Sequence, residues 1–438
     1  MVTAMGGFLF GFDTAVISGA NLYIQSYFDL DQFSFGFVVS SMLIGCAIGA
    51  LGSGRPSAIW GRRKMLMLTA LLFAVSALGS ALATTTTTFV IYRMLGGLGV
   101  GAASMLSPVY IAEVSPAAVR GKMVSLNQLA IVLGVTVAFF SNYFLSTLPD
   151  IINWRWMLGV EIFPSFLFFI LLIFVPESPR WLFANGKPQI AKKVLYKING
   201  KENAMRIESE IIQHMTTEEH STKDFKTTYQ KLLKPHFKKF TIMVIILAAL
   251  QQLTGINIIM YYAPNIFESI GVGKSTAILQ TISVGMIMSV FTIIAMFLID
   301  KIGRKKLLKW GGLGMALSLF ILGASFSLGL APPFFILIMM LVFIAFFSVS
   351  AGPVTWVLIS ELLPNEIRSE GISVATFVLW MTNYIVTLTF PVLLDTFKGS
   401  WSGITFGLYG IFCLLIFFFA SKHLVETKGK TLEEIEKL

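Results

Sequence analysis

Gln251-Gln252-Leu253-Thr254-Gly255-Ile256-Asn257, followed by Tyr261, Tyr262 and Asn265, lies inside an apolar segment that begins near Thr241. A buried amide without a partner costs about 2–7 kcal/mol on transfer scales. A chain that puts Gln251, Gln252 and Asn257 there has to supply something for them to bind, so the segment is read as holding a polar guest.

The surroundings decide the solvent. Of 438 residues, 55% are hydrophobic and 13% charged, with a mean hydropathy of +0.78. Soluble domains carry about 25% charged residues. Apolar runs of about 17–25 residues can cross a bilayer core. They fall near 3–26, 35–58, 65–83, 88–112, 122–145, 154–175, 239–268, 275–300, 305–329, 332–360, 370–395 and 401–421. The expected fold class is an all-α polytopic membrane protein with twelve transmembrane helices. The first run starts almost at Met1 without the basic region and small-residue cleavage pattern of a removed signal peptide. The reading therefore leaves room for residues upstream.

A net charge of +10 could point to nucleic acid, but the basic residues sit on alternate connections. Arg62, Arg63 and Lys64 form one group, Arg120 and Lys122 another, and Lys301, Arg304, Lys305 and Lys306 a third, with more in 176–238. The positive-inside bias explains this distribution and places both termini in the cytoplasm of a multi-pass cell-membrane protein, read as bacterial inner membrane. Cys46 and Cys413 lie in separate apolar runs and offer no disulfide or metal spacing. His214, His220, His236 and His423 fall in polar stretches and are read as solvated. No metal and no cofactor is expected beyond a coupling proton.

The chain is a six-segment unit written twice. Glu113, Pro116 and Arg120 recur as Glu361, Pro364 and Arg368, while Gly61-Arg62-Arg63-Lys64 recurs as Gly303-Arg304-Lys305-Lys306. Pro176-Glu177-Ser178-Pro179-Arg180 closes the first unit and Glu426-Thr427-Lys428-Gly429 the second. The expected organisation is an N-terminal bundle over 1–175, a cytoplasmic linker over 176–238 with an amphipathic helix around 187–215, a C-terminal bundle over 239–421 and a tail over 422–438. Parallel repeats of this kind place a substrate site near the midplane, between two bundles that rock against each other.

The motifs carry a family resemblance. Phe10-Gly11-Phe12-Asp13-Thr14-Ala15-Val16-Ile17-Ser18-Gly19, Gly61-Arg62-Arg63, Arg93 with Gly96-Gly97-Leu98-Gly99-Val100-Gly101, Pro176-Glu177-Ser178-Pro179-Arg180-Trp181, Gln251-Gln252 to Asn257, and Gly352-Pro353-Val354-Thr355-Trp356-Val357 run nearly end to end. Together they resemble the sugar porter branch of the major facilitator superfamily, which includes bacterial proton-coupled xylose symporters and mammalian facilitative glucose transporters.

Asp13, Arg93 and Glu161 are the strongly charged residues set deep in the apolar runs, where a charge costs about 2.5–3.5 kcal/mol on insertion scales. The resemblance implies that Asp13 pairs with Arg93, that Glu161 joins them, and that the three couple transport to protons. It also implies a sugar site from Phe10, Gln128, Gln251, Gln252, Asn257, Trp356, Trp380 and Asn383. Amides both donate and accept, so they can bridge neighbouring hydroxyls, and Trp packs on a sugar face. That inventory suits a neutral hexose or pentose better than an anion. The competing reading of each amide is an interhelical hydrogen bond. Leu379 and Val135 stand where the xylose symporters carry polar groups, and Ala58 stands where the family has an acidic residue, so the particular sugar stays open.

At the cytoplasmic ends, Arg62, Glu113, Arg120, Glu177, Arg180, Arg304, Glu361, Arg368 and Glu426 are expected to form an inner gate, with pairs between the two bundles that hold when the carrier faces outward and break on inward opening. The glycine run Gly97 to Ala102 also fits a nucleotide fingerprint, but such a loop needs a preceding strand, and close helix packing explains it better. The remaining alternatives are a facilitative uniporter and a non-transporting sugar sensor. An enzyme is excluded for want of a nucleophile, base and orienting group together. The partners expected are a monosaccharide and the lipid bilayer, with the chain acting as a monomer and without nucleic acid.

Overall fold

The computed structural model describes residues 2, 4–116, 120–200, 203–205, 207–209, 230–329, 332–397, 401 and 403–428. Within them the first half of the chain is built from α1 (Ala4–Tyr27), α2 (Gln32–Gly52), α3 (Gly54–Trp60), α4 (Arg62–Leu82), α5 (Thr86–Val114), α6 (Arg120–Leu145), α7 (Asn153–Gly159) and α8 (Ile162–Ile173). Two short helices follow, α9 (Pro179–Ala184) and α10 (Pro188–Asn199). The second half comprises α11 (Pro235–Leu253), α12 (Ile256–Ser269), α13 (Lys274–Ile302), α14 (Arg304–Leu328), α15 (Pro333–Val349), α16 (Ala351–Leu362), α17 (Arg368–Thr396) and α18 (Gly403–Lys422). Among the described residues, twelve spans are long and apolar enough to cross a membrane.

Local chemistry sets several ends. Asp31 caps α2 by accepting from Ser34 N at 2.8 Å, and Thr85 and Thr88 form a reciprocal capping box at the start of α5, each satisfying donors that a helix start leaves free. The run expected over 35–58 is two elements, because α2 ends at Gly52 and α3 is a separate short helix. Three other runs are broken inside the membrane: at Val160-Glu161, at Thr254-Gly255, and at Ser350. Gly255 takes φ +83°, a left-handed conformation that favours glycine.

Small residues bring the helices together. A Cβ on Gly97 would stand 1.9 Å from Met42 O, and one on Gly101 2.1 Å from Cys46 O, so the glycine run seats α5 directly on the backbone of α2. The expected amphipathic helix around 187–215 is α10 up to Asn199, and 210–215 falls outside the described residues. Trp181, Leu182, Phe183, Ala191, Leu195 and Ala204 form a small apolar core of their own there. His214 and His220 also lie outside the described residues.

One end of the bundle carries Arg62, Arg304 and their neighbours and is called the basic end below. At the far end the two halves meet closely. Asn21 Nδ2 donates to Tyr261 O at 2.8 Å, the Phe35 and Tyr262 rings lie 5.7 Å apart, and a Cβ on Gly36 would stand 2.3 Å from Leu388 O. Midway along, Thr136 of α6 is within 2.9 Å of both Gly285 O and Ser289 Oγ of α13.

Candidate carrier site

Asp13 lies halfway along α1, a helix enclosed on nearly all sides. Its side chain is fully buried, and Arg93 Nη1 of α5 donates to its Oδ1 at 2.5 Å. Arg93, 2% exposed, also points Nη2 at Met42 Sδ, 2.7 Å away. Glu161, 2% exposed, stands at the break between α7 and α8 with its carboxyl in hydrogen-bonding reach of Asp13. Asp13 Oδ2 and Glu161 Oε1 have no donor among the described residues. Two carboxyl groups against one guanidinium suit a shared proton, since like charges that close cannot both ionise readily in a dry site. Gly96 lines the same spot, where a Cβ would come 2.9 Å from Asp13 Oδ2.

In the second half the amides collect at the breaks in the helices. Gln251 Nε2 reaches the carbonyls of Ala351 and Gly352 at 3.0 and 3.3 Å, tying the α11–α12 break to the α15–α16 break. Gln252 Nε2 donates to Gln251 Oε1 at 3.4 Å, and Asn257 Nδ2 donates to Gln252 Oε1. Gln251 and Gln252 are buried, while Gln128, Asn257 and Trp356 are partly open. Gln251 thus makes the interhelical bond that competes with a sugar contact; the chain of amides ends on Asn257. Trp380 stacks near Phe10 across the two halves, with ring centroids 5.6 Å apart, and its Nε1 has no partner among the described residues. Asn383 accepts from Thr387 Oγ1 at 3.0 Å. Tyr261, named with the opening stretch, is buried with a hydroxyl that has no described partner, and two buried groups near this region were not singled out from sequence: Thr355, whose hydroxyl likewise has none, and Asn21. Asn21 is an amide inside an apolar run, the same signal that marked Gln251.

A cavity of about 400 Å³ opens at the basic end, lined by Ile111, Val114, Met123, Leu126, Leu129 and Leu133 among others. It takes in none of the candidate sugar groups.

At the basic end, where a cavity opens, the ion pairs among the described residues lie inside each half. Arg62 Nε and Nη2 donate to both oxygens of Glu113 at 3.2 Å, and Arg304 Nη2 donates to Glu361 at 3.2 Å. Glu177 accepts from the backbone N–H groups of Arg62 and Arg63 at 3.0–3.2 Å, and Glu426 from those of Arg304 and Lys305 at 2.9 and 3.2 Å. Each glutamate sits on the positive end of a helix, α4 or α14. The pairing is local because these groups sit at the ends of neighbouring helices of one unit. Arg62 Nη1 and Arg304 Nη1 donate to equivalent carbonyls, Ser57 O at 3.1 Å and Ile299 O at 3.2 Å; Arg304 also holds Asp300 at 3.0 Å, a partner that Ala58 cannot supply to Arg62. Arg368 donates to Leu363 O, Arg180 is exposed, and the side chain of Arg120 lies outside the described residues.

A twofold-repeated bundle of twelve spans, with a sealed ion pair in one half and linked amides at helix breaks in the other, defines a membrane carrier. The sugar (and other) transporter family matches residues 1–438. The chain belongs to that family. It is 40% identical over 444 residues to the arabinose-proton symporter of Bacillus subtilis, covering 99% of this chain and 93% of the relative. It is 41% identical over 476 residues to the D-xylose-proton symporter of Escherichia coli K12, covering 100% and 94%. Among solved structures it is similar to the inward open conformation of the xylose transporter XylE from E. coli, with a TM-score of 0.86 and 39% identity over 100% of this chain and 98% of that one. XylE bound to 6-bromo-6-deoxy-D-glucose matches with a TM-score of 0.80 and 39% identity, over 100% and 97%.

Proposed function

We propose that this protein brings a neutral monosaccharide, a hexose or pentose, into the cell together with a proton, by alternating access. The observation that carries the reading is the Asp13–Arg93 pair, sealed inside the first half at 2.5 Å, in a chain whose relatives include arabinose-proton and D-xylose-proton symporters. Protonating the Asp13 and Glu161 pair weakens the hold on Arg93. That changes the free-energy difference between the two arrangements of the halves by as much as the proton discriminates between them.

The moving units in this reading are 1–175 and 239–421, joined by the linker 176–238 and followed by the tail 422–438. The basic end faces the cytoplasm with both termini, as alternate-loop charge favours, in a bacterial inner membrane, and a single chain suffices. Sugar hydroxyls meet Asn257, Gln252 and Gln128, with Trp380, Trp356 and Phe10 on the apolar faces, Gln251 holding the amide chain in place and Asn383 beside it. The clusters around Arg62 and Arg304 act as a gate by exchanging partners inside each half, with Arg120, Arg180 and Arg368 at its rim. Exposed pairs contribute about 0–1 kcal/mol each, so such a gate works by number.

The test is counterflow of a panel of labelled monosaccharides into liposomes holding the pure protein, then uptake driven by an inward proton gradient. A sugar that exchanges and also accumulates with the gradient supports symport. Exchange without any response to the gradient removes the coupling.

A further inference from the structure

Asp13 is fully buried and Glu161 only 2% exposed, while the halves meet at the far end; a proton held there still has to reach the basic side. We propose that it leaves within the first half along two buried hydroxyls, Ser165 and then Ser107, and not through the sugar path. This rests on the symport reading above.

Two helices, α1 and α8, keep the same spacing along this line, and α5 contributes a group at each level. At the upper level Asp13 of α1, Gly96 of α5 and Glu161 at the start of α8 come together. At the lower level a Cβ on Gly6 of α1 would stand 2.3 Å from Ser107 Oγ of α5 and 3.4 Å from Phe168 Cζ of α8. Seven residues separate Asp13 from Gly6, and seven separate Glu161 from Phe168. Two helical turns lie between the levels on both elements, about 10 Å at 1.5 Å per residue. Ser165 falls between them, bonded one turn below Glu161 through its own N–H, which donates to Glu161 O at 3.1 Å. Along α8, Ser165 lies about 6 Å below Glu161 and about 4.5 Å above Phe168, and in this proposal bridging waters join the hydroxyls to the carboxyls and to each other.

The hydroxyls themselves are the second observation. Serines in this chain usually fold the O–H back on a carbonyl three or four residues earlier, as Ser41 does on Val38 O, Ser104 on Gly101 O and Ser318 on Gly314 O. Ser107 and Ser165 are fully buried and make no such bond, nor any other among the described residues. An unpaired buried hydroxyl is costly, which makes two of them along one seam below a carboxyl pair a feature that calls for a use.

The titratable and charged groups around the line are Asp13 on α1, Cys46 on α2, Arg93 and Tyr110 on α5, and Glu161 beside α8. Arg63, Glu113 and Glu177 stand at its basic mouth, where the Tyr110 hydroxyl donates to Pro176 O. A hydroxyl relays by accepting a proton on oxygen and releasing the one it held. The carboxyl O–H bond breaks at the top, an O–H bond forms on water at the basic side, and no electron is exchanged.

The test uses the full-length protein in liposomes, with the sugar that gives the fastest wild-type counterflow. Counterflow needs no net proton release, whereas gradient-driven uptake needs one in every cycle. Ser165→Ala is expected to slow gradient-driven uptake by about tenfold or more, the scale of a lost relay step, with counterflow unchanged; preserved counterflow also reports a folded carrier. Ser165→Thr keeps the hydroxyl and restores the rate, Ser107→Ala repeats the defect, and deuterated water slows Ser165→Ala more than wild type. Gradient-driven uptake that is unaffected in Ser165→Ala and Ser107→Ala, or that falls only in step with counterflow, overturns the route while wild-type coupling stands. A wild type indifferent to the gradient overturns the symport reading and the route with it.

Discussion

At Asp13 a carboxylate without solvent is held by a guanidinium at 2.5 Å, an arrangement in which the remaining partner suffers when one is removed. Asp13→Asn keeps the shape and removes the charge, so sugar exchange is expected to persist while accumulation driven by a proton gradient is lost; counterflow and gradient-driven uptake, measured side by side, separate the two. Gly61 and Gly303 pose a different problem. Both take φ near +97°, at +98° and +96°, and a Cβ at either would stand 2.3 or 2.5 Å from the glutamate that caps the next helix, Glu177 or Glu426. Gly303→Ala is therefore expected to lower stability by about 1–3 kcal/mol, the range for strained backbone, read as a drop in the melting temperature of the detergent-solubilised protein. These glycines repeat in the sequence, but only the folded chain reveals that the glutamate closing each unit is the group they make room for.

The breaks in the spanning helices are where the elements acquire function. Gln251 stands just before the α11–α12 break, and its side chain spans to the α15–α16 break through Ala351 and Gly352. Gln251→Ala removes that tie, leaves Gln252 Nε2 without its acceptor, and is expected to cost about 1–3 kcal/mol of stability, typical of an unmet buried hydrogen bond. Gln252→Ala, one residue on, is expected to raise the sugar concentration needed for half-maximal counterflow with a smaller loss of melting temperature. If the two variants behaved alike, the division between a positioning amide and a contacting one would be wrong. At the far end Asp31 caps α2, and its hydrogen bonds to the Ser34 side chain and N–H hold its carboxyl below the usual carboxylate range. A depressed carboxyl contributes stability at pH values above its unfolded pKa and loses that contribution as pH falls through the folded value. The melting temperatures of wild type and Asp31→Ala are accordingly expected to converge as the solution is taken below about pH 4, the ordinary aspartate range.

For the molecule as a whole, the contacts between the halves gather at the far end and midway, through Asn21, Phe35, Gly36 and Thr136. Gly36→Val would press a side chain into Leu388 O, 2.3 Å from its Cβ, and is expected to shift the population toward the arrangement open at that end. Labelling of a cysteine placed in α1 near Asn21, faster in the variant than in the control, would register the shift. The solvent, the twelve spans, the twofold repeat and the deeply placed charges Asp13, Arg93 and Glu161 were all legible from the sequence by itself. Hydropathy, charge asymmetry and a costly buried charge are properties of composition and spacing, and they survive without coordinates. What the tertiary structure alone decided is partnership: Arg62 and Arg304 bind inside their own half, Gln251 is satisfied by a neighbouring helix, and Ser107 and Ser165 are left buried without a described partner. A hydrogen bond acts only over about 3 Å, and which groups come that close depends on how helices far apart in the chain cross, which local pattern does not encode.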